Sequence, residues 1–274
     1  MTALKVHLQG VGLLGPGLGS WPAAQPMLRG IEAHVFSPTL LPSPARLPSA
    51  ERRRAGAAIK LAMAVADEAV AHAAIDPHTL ATVFTSSSGE GLNCHLLCEA
   101  LAGADRLISP TRFTNSVHNA AAGYWHIAVA SRAPSTSLCA YGASFGAGLL
   151  EAATQVQATD APVLLVASDT PYPEPLSACR PLPDNFGVAL MLAPSSSARS
   201  LATLDLELAD VARAGATSTC SDLSLEALRT AVPAAAALPL LQALARGDTD
   251  RHVVCDLMPA LKLHIAIRAK AGTS

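Results

Sequence analysis

The stretch TRFTNSVHNAAAGYWHIAVASRAPSTSLCAYGASFGAGLLEAATQVQATDAPVLLVASD, Thr111 to Asp169, decides the fold. Read locally, it is helix, strand, sharp turn, helix, strand. Asn115 or Ser116 can cap a helix over residues 117–129, where apolar residues recur at helical spacing. Pro134 ends that run, and residues 135–141 read as a short buried strand. Gly142 breaks the strand. Residues 145–156 form a second apolar helix, packed with Gly and Ala, and 163–167 is a β-branched strand buried on both faces. A strand that turns sharply into a helix exposes the residue at the turn to a pocket, where such folds carry a nucleophile.

Two readings compete for this turn. Gly142-Ala143-Ser144-Phe145-Gly146 matches G-x-S-x-G, the nucleophile elbow of serine hydrolases. Ser144 would then be the nucleophile, and Asp169 or Asp184 followed by His252 supplies the order Ser, Asp, His. The glycine-rich oxyanion motif that should follow a histidine is missing. The second reading is a resemblance. The stretch resembles the middle of a β-ketoacyl-acyl-carrier-protein synthase, with Asn119, Gly123, the Pro134-Ser135 step and the strand at 163–167 in register without a gap. A register held through five elements outweighs a pentapeptide. The resemblance implies an α/β, thiolase-like fold, essentially the N-terminal half of a ketosynthase, a layered sheet covered by helices.

In that register the family's catalytic cysteine falls on Gly142, and Ser144 lies two residues past the pocket. Cys139 is the nucleophile only in a variant acyl-transfer reading. Residues three apart on a strand point to opposite faces, so Cys139 reads as a small buried hydrophobe with a raised thiol pKa.

The chain has 274 residues, enough for a sizeable core; 50% are hydrophobic and 4% aromatic, and the net charge is −2. That charge leaves no footprint for nucleic acid or an anionic membrane. No uninterrupted apolar run is long enough to cross a bilayer, and no signal-peptide pattern opens the chain, which places it in the cytoplasm. Six irregularly spaced cysteines then read as free thiols. A single domain is expected over residues 1–274, with 195–274 a divergent tail within it.

Residues 4–11 read as the first strand, followed by Gly10-Val11-Gly12-Leu13-Leu14-Gly15, a G-x-G-x-x-G pattern. A dinucleotide site needs a helix opening there, which Pro16, Gly17 and Gly19 delay. No cofactor is expected. A long helix is read from Ser49, its natural N-cap, to about Ala74. Arg52, Arg53 and Arg54 at its start could grip a phosphate, or form a solvated, salt-bridged helix end. Residues 83–85 are a strand leading into a Ser/Gly loop, 86–91. Cys94 and Cys98 share a helix face, but His95 points elsewhere and no second ligand pair follows, so no metal is expected. His118 and His126 lie on the helix before Pro134 and read as packing edges. Arg180 and Asp184 are expected to pair, and 188–192 with 204–208 to form a hairpin. Residues 223–246 read as helical, interrupted at Pro233 and Pro239, with strands at 252–258 and 261–266.

What the resemblance lacks bears on function. Ketosynthases use a cysteine and two histidines, in His-Gly-Thr-Gly-Thr and Gly-His settings; neither occurs here, and His252 and His264 lack the glycine-threonine context. Losing all three implies a different role, that of a non-catalytic chain-length factor. Such subunits are found in type II polyketide systems and, as short ketosynthase-like chains, in aryl polyene pathways; this sequence is similar to both. Its implied partners are an active ketosynthase and, through that complex, an acyl carrier protein. The resemblance puts Ser88 near the acyl pocket and has Arg112, Phe113 and Thr114 reach across to the partner's tunnel. It places Val117, Tyr124, Trp125, Ser137, Leu138 and Tyr141 at the interface, with the aromatic residues exposing apolar area.

Overall fold

Eight strands form one mixed sheet: β1 Leu4–Leu14, β2 Ala81–Thr85, β3 Ser135–Leu138, β4 Val163–Asp169, β5 Phe186–Ala193, β6 Ala202–Asp210, β7 Arg251–Met258 and β8 Leu261–Arg268. Their order is β3-β2-β4-β5-β1-β6-β8-β7. The computed structural model describes residues 3–269. β3, β2 and β4 run parallel, and all other neighbours are antiparallel. The helices are α1 Trp21–Arg29, α2 Ser49–Arg54, α3 Ala57–Ala73, α4 Gly91–Ala102, α5 Pro110–Asn115, α6 Ala120–Ala128, α7 Ser144–Thr159, α8 Leu176–Cys179, α9 Val211–Ala214, α10 Leu223–Ala231 and α11 Leu238–Arg246. This is the layered, helix-covered sheet expected of a thiolase-like half.

β4 shows why the layers hold. Leu164 and Val166 join the core under α3 and α6, while Val163, Leu165 and Ala167 join the core under α7. Period-two alternation therefore feeds two hydrophobic faces from one strand. Each fully buried Leu or Val contributes about 1.5–3 kcal/mol. The tail does not hang off this body. β6, β8 and β7 extend the sheet beyond β1, and α10 and α11 pack into the same core as α7.

The glycines of the G-x-G-x-x-G pattern have a packing role. A Cβ at Gly10 would collide with the Ala69 carbonyl oxygen, and one at Gly12 with that of Val65. β1 rests directly on the backbone of α3, which admits only glycine there.

Four local expectations are corrected. The helix from Ser49 is two helices: Pro48, not Ser49, stands at the N-cap, and Gly56 is extended between α2 and α3. Glu90, from the Ser/Gly loop, accepts the Ala58 N–H at 3.3 Å and so serves the start of α3. The helix expected over 117–129 is shorter, Ala120–Ala128 with Asn119 at its N-cap, because Asn115 and Ser116 close the separate α5 instead. Asn115 donates to the Arg54 carbonyl and accepts from the Tyr124 hydroxyl, and Ser116 bonds back to the Phe113 carbonyl. β3 stops at Leu138, and a 3₁₀ turn over Tyr141–Ala143 precedes α7. Finally, β5 and β6 form no hairpin; β1 lies between them and pairs with both. The proline breaks at 233 and 239 hold, as a 3₁₀ turn over Pro233–Ala237 separates α10 from α11.

Replacing Gly12 with Ala should push β1 off α3 and lower unfolding stability by about 3 kcal/mol. Urea denaturation checks this; an unchanged midpoint would contradict the close-contact reading.

Candidate functional site

The junction between β3 and α7 is a tight turn beside the sheet. Tyr141 carries it with φ 51°, in the left-handed region, and the residue is 69% exposed. The Arg180 guanidinium stacks over that ring at 3.5 Å from the centroid. Arg180 therefore does not pair with Asp184, whose carboxylate instead accepts the Thr39 and Asn185 N–H groups. Gly142 follows Tyr141, exposed, and a Cβ built on it would meet nothing within 4 Å.

Ser144 is unavailable as a nucleophile. It is 1% exposed, and its hydroxyl is held between the carbonyls of Ser86 and Tyr141 and the Ala140 N–H. No histidine reaches it. Asp169 is committed elsewhere too: its carboxylate accepts the Ser87 N–H at 2.7 Å and the Ala234 N–H at 2.8 Å. Burial pushes the Asp169 carboxyl up from its ordinary value, and the hydrogen bonds it accepts pull against that. The hydrolase triad expected from Ser144, Asp169 or Asp184, and His252 is thus not assembled.

Two cavities flank the turn. One, about 30 Å³, lies between α3, β2 and α6 and is lined by Ile59, Phe84, Glu90, Val117, His118 and Ser137 among others. It has room for little more than a water. The second, about 230 Å³, touches Gly142, Gly146, Thr217, Arg229, Cys255 and Asp256. Burial pushes the Cys255 thiol up to about 12, so it is inert. Neither His252 nor His264 lines either cavity; their rings stack at 4.8 Å on β7 and β8.

The residues read as reaching outward do so in part. Arg112, Phe113 and Thr114 are exposed, Phe113 by 66%. Val117 is 52% exposed, and Ser137 and Leu138 are half-buried on the edge strand. Tyr124 and Trp125 are different: both are buried, Trp125 completely, against α3. The expected apolar exposure of those two aromatics is overturned. They fill the space between α6 and α3, the job of large side chains in an alanine-rich core. Ser88 is exposed and does not line the small cavity, which Ser86 and Gly89 border instead.

The remaining polar clusters are structural. Arg52 donates to the Ala45 and Leu47 carbonyls, and Arg54 pairs with Glu51 at 2.8 Å. His95 pairs with Glu99 at 3.2 Å. His126 bonds Thr82 and Ser131. Among the described residues no group of three or more His, Cys, Asp or Glu side chains could hold a metal, and no helix is long and apolar enough to cross a membrane.

Cys139 departs from the buried-strand expectation. Because β3 ends one residue before it, Cys139 leaves the sheet and is exposed. Its Sγ lies 2.7 Å from His118 Nε2. His118 in turn is not on α6 but in the turn before it. No sequence signal joins these two residues, since the turn that brings them together replaces an expected helix.

The family model described as "Beta-ketoacyl synthase, N-terminal domain" matches residues 30–252. The chain belongs to this ketosynthase family. Its fold is similar to a chain in the ketosynthase (ApeO) complex with its chain length factor (ApeC) from Xenorhabdus doucetiae, at TM-score 0.68 and 22% identity, covering 96% of this chain and 99% of that one. It is similar to a chain of the ishigamide ketosynthase/chain length factor at TM-score 0.72 and 13% identity, covering 97% and 100%. A chain of the AntDE:AntF complex, a type II acyl-carrier protein with its ketosynthase bound to the hexaketide, matches at TM-score 0.72 and 11% identity, covering 98% and 100%. At these identities the likeness is one of fold. No curated protein sequence matches.

Asp169 is the joint of this site. Asp169→Ala would strand two buried N–H groups and should cost about 2–4 kcal/mol. Hydrogen exchange should speed up together at Ser87 and Ala234, two segments far apart in sequence; protection unchanged at either would contradict the joint.

Proposed function

We propose that this chain is a ketosynthase-like subunit with no condensing chemistry of its own. It pairs with an active β-ketoacyl synthase and shapes that partner's acyl tunnel, as a chain-length factor in polyene, polyketide or related fatty-acid-like synthesis in the cytoplasm. One observation carries the reading: glycine stands where a ketosynthase domain would hold its nucleophile. The register read from the sequence resemblance assigns that position to Gly142.

Three features support it. The cavity of about 30 Å³ behind the turn is too small for an acyl chain. The described histidines lie away from both cavities except His118, so no histidine pair stands ready to polarise a thioester and expel carbon dioxide. And β3 is an open edge that pairs with β2 alone among the described strands, with Val117 exposed near Ser137 and Tyr141 exposed just past the strand. Solved chains of the same length plan come from ketosynthase/chain length factor complexes. Phe113, with Arg112 and Thr114, reaches into the partner's tunnel and limits product length by bulk. An acyl carrier protein meets this chain through that complex.

The test is co-expression with the active ketosynthase of the same source. The pair should co-purify as a heterodimer, and neither subunit alone should elongate a carrier-bound acyl chain. Val117→Asp should weaken pairing at least about tenfold, or 1.4 kcal/mol, while leaving the fold intact. Phe113→Ala should lengthen the product. A lone chain that condenses malonyl units, or a monomer indifferent to the ketosynthase, would overturn the reading.

A further inference from the structure

We propose that the groove where α1, α3 and α11 meet binds a phosphate monoester with a compact apolar body. The groove shares no lining residue with either cavity at the turn, and its binding does not depend on the pairing reading.

The groove measures about 820 Å³, within the range of small-molecule sites. Helical spacing assembles its walls. Trp21, Gln25 and Arg29 recur every fourth residue on one face of α1, and Glu68 and His72 do the same on α3. The end of α11, Leu201 before β6 and Val11 of β1 complete it.

Two guanidiniums cross here. Arg29 reaches from α1 to the end of α11, where its Nε donates to the Ala245 carbonyl at 2.7 Å. Arg246 reaches back to the end of α1, where a Cβ added to Gly30 would sit 3.9 Å from its Nη2. Among the described residues the Arg246 guanidinium makes no hydrogen bond or ion pair, and neither do the terminal nitrogens of Arg29. The helix ends account for part of this, since cations suit the last turn of a helix. They do not account for two like charges brought together, which repel and gain by taking up an anion. No carboxylate is spare for that role. Glu68 is the acidic residue of the groove, and its two oxygens accept the Leu13 and Trp21 N–H groups, each at 2.8 Å. Asp248, just past the groove, lies 3.7 Å from Arg251.

His72 adds a third donor. The Val11 N–H donates to its Nδ1 at 3.2 Å, closer than the Val11 carbonyl at 3.4 Å. Nδ1 is then the acceptor, and the ring hydrogen sits on Nε2, which has no partner among the described residues. Two guanidiniums and an N–H donor suit the several oxygens of one phosphate group. Trp21, Pro22, Leu201 and Leu244 line the same groove with apolar surface, Leu201 being 39% exposed. The ligand is therefore charged at one end and apolar at the other.

Isothermal titration calorimetry of the purified full-length chain with phenyl phosphate tests this, with inorganic phosphate and phenol as the two halves of the probe. Phenyl phosphate should bind with a Kd of about 1 mM or tighter, and each half at least about tenfold more weakly. Arg246→Gln should weaken phenyl phosphate binding at least about tenfold. Because the Arg246 guanidinium makes no bond in the fold, this variant should melt no lower than the wild type without ligand. Phenyl phosphate should then raise the melting temperature of the wild type only. Changing Arg53 and Arg54 of α2 to Gln should leave the affinity as it is, which separates the groove from general attraction to basic surface. Absence of binding, inorganic phosphate or phenol binding as well as phenyl phosphate, or wild-type affinity in Arg246→Gln would each overturn the proposal. An equal loss in the α2 variant would do the same.

Discussion

A single buried carboxylate holds the working end of this molecule together. Asp169 closes β4, the strand buried on both faces, and accepts N–H groups from Ser87 and Ala234. Through the first it fixes the loop that runs on to Gly89 and Glu90. Through the second it fixes the 3₁₀ turn between α10 and α11. Burying a carboxylate is costly unless its oxygens are bonded, and here the two donors offset that cost. Ser87 adds a further tie through its hydroxyl to the Tyr172 hydroxyl. The loop behind the turn, the N-terminus of α3 served by Glu90, and the tail all answer to that one strand end.

The layers are legible in the sequence because periodicity builds them. β-branched 163–167, the apolar helix after Gly142 and the proline breaks at 233 and 239 each follow from a local rule, and each is present. What local rules miss is decided by long-range partners. Asn115 reads as a helix cap, yet its amide is needed 61 positions away at the Arg54 carbonyl and by Tyr124. Residues 188–192 and 204–208 read as a hairpin, yet β1 from the start of the chain inserts between them. Glycines 10 and 12 read as a phosphate loop by arithmetic, but the constraint that selects them is contact with α3.

The site follows the same division. That Ser144 sits near the turn is local information; that its hydroxyl is consumed by Ser86 and Tyr141 is not. Trp125 and Tyr124 read as interface aromatics because family position suggests it. In a chain so poor in aromatics they are more valuable inside, where α6 meets α3. An apolar run suggests a strand as long as the run, which puts Cys139 inside it. β3 stops after four residues instead, and those extra positions supply the exposed thiol and the turn.

That short strand also bears on why the chain is an incomplete surface. An edge strand offers unpaired N–H and C=O groups and invites another chain. Natural edges are blunted by charge, by proline or by cover. Ser135–Leu138 carries no charge, and Pro134 only precedes it, while the outer side of the sheet at β3 has no further strand among the described residues. The opposite edge, β7, is treated differently: Arg251 and Asp256 punctuate it, with Asp248 and Lys262 pairing to them. One edge is thus defended and the other is bare, with exposed Val117 near Ser137 and exposed Tyr141 just past the strand. A sheet that guards one end and leaves the other open is organised for continuation at that end.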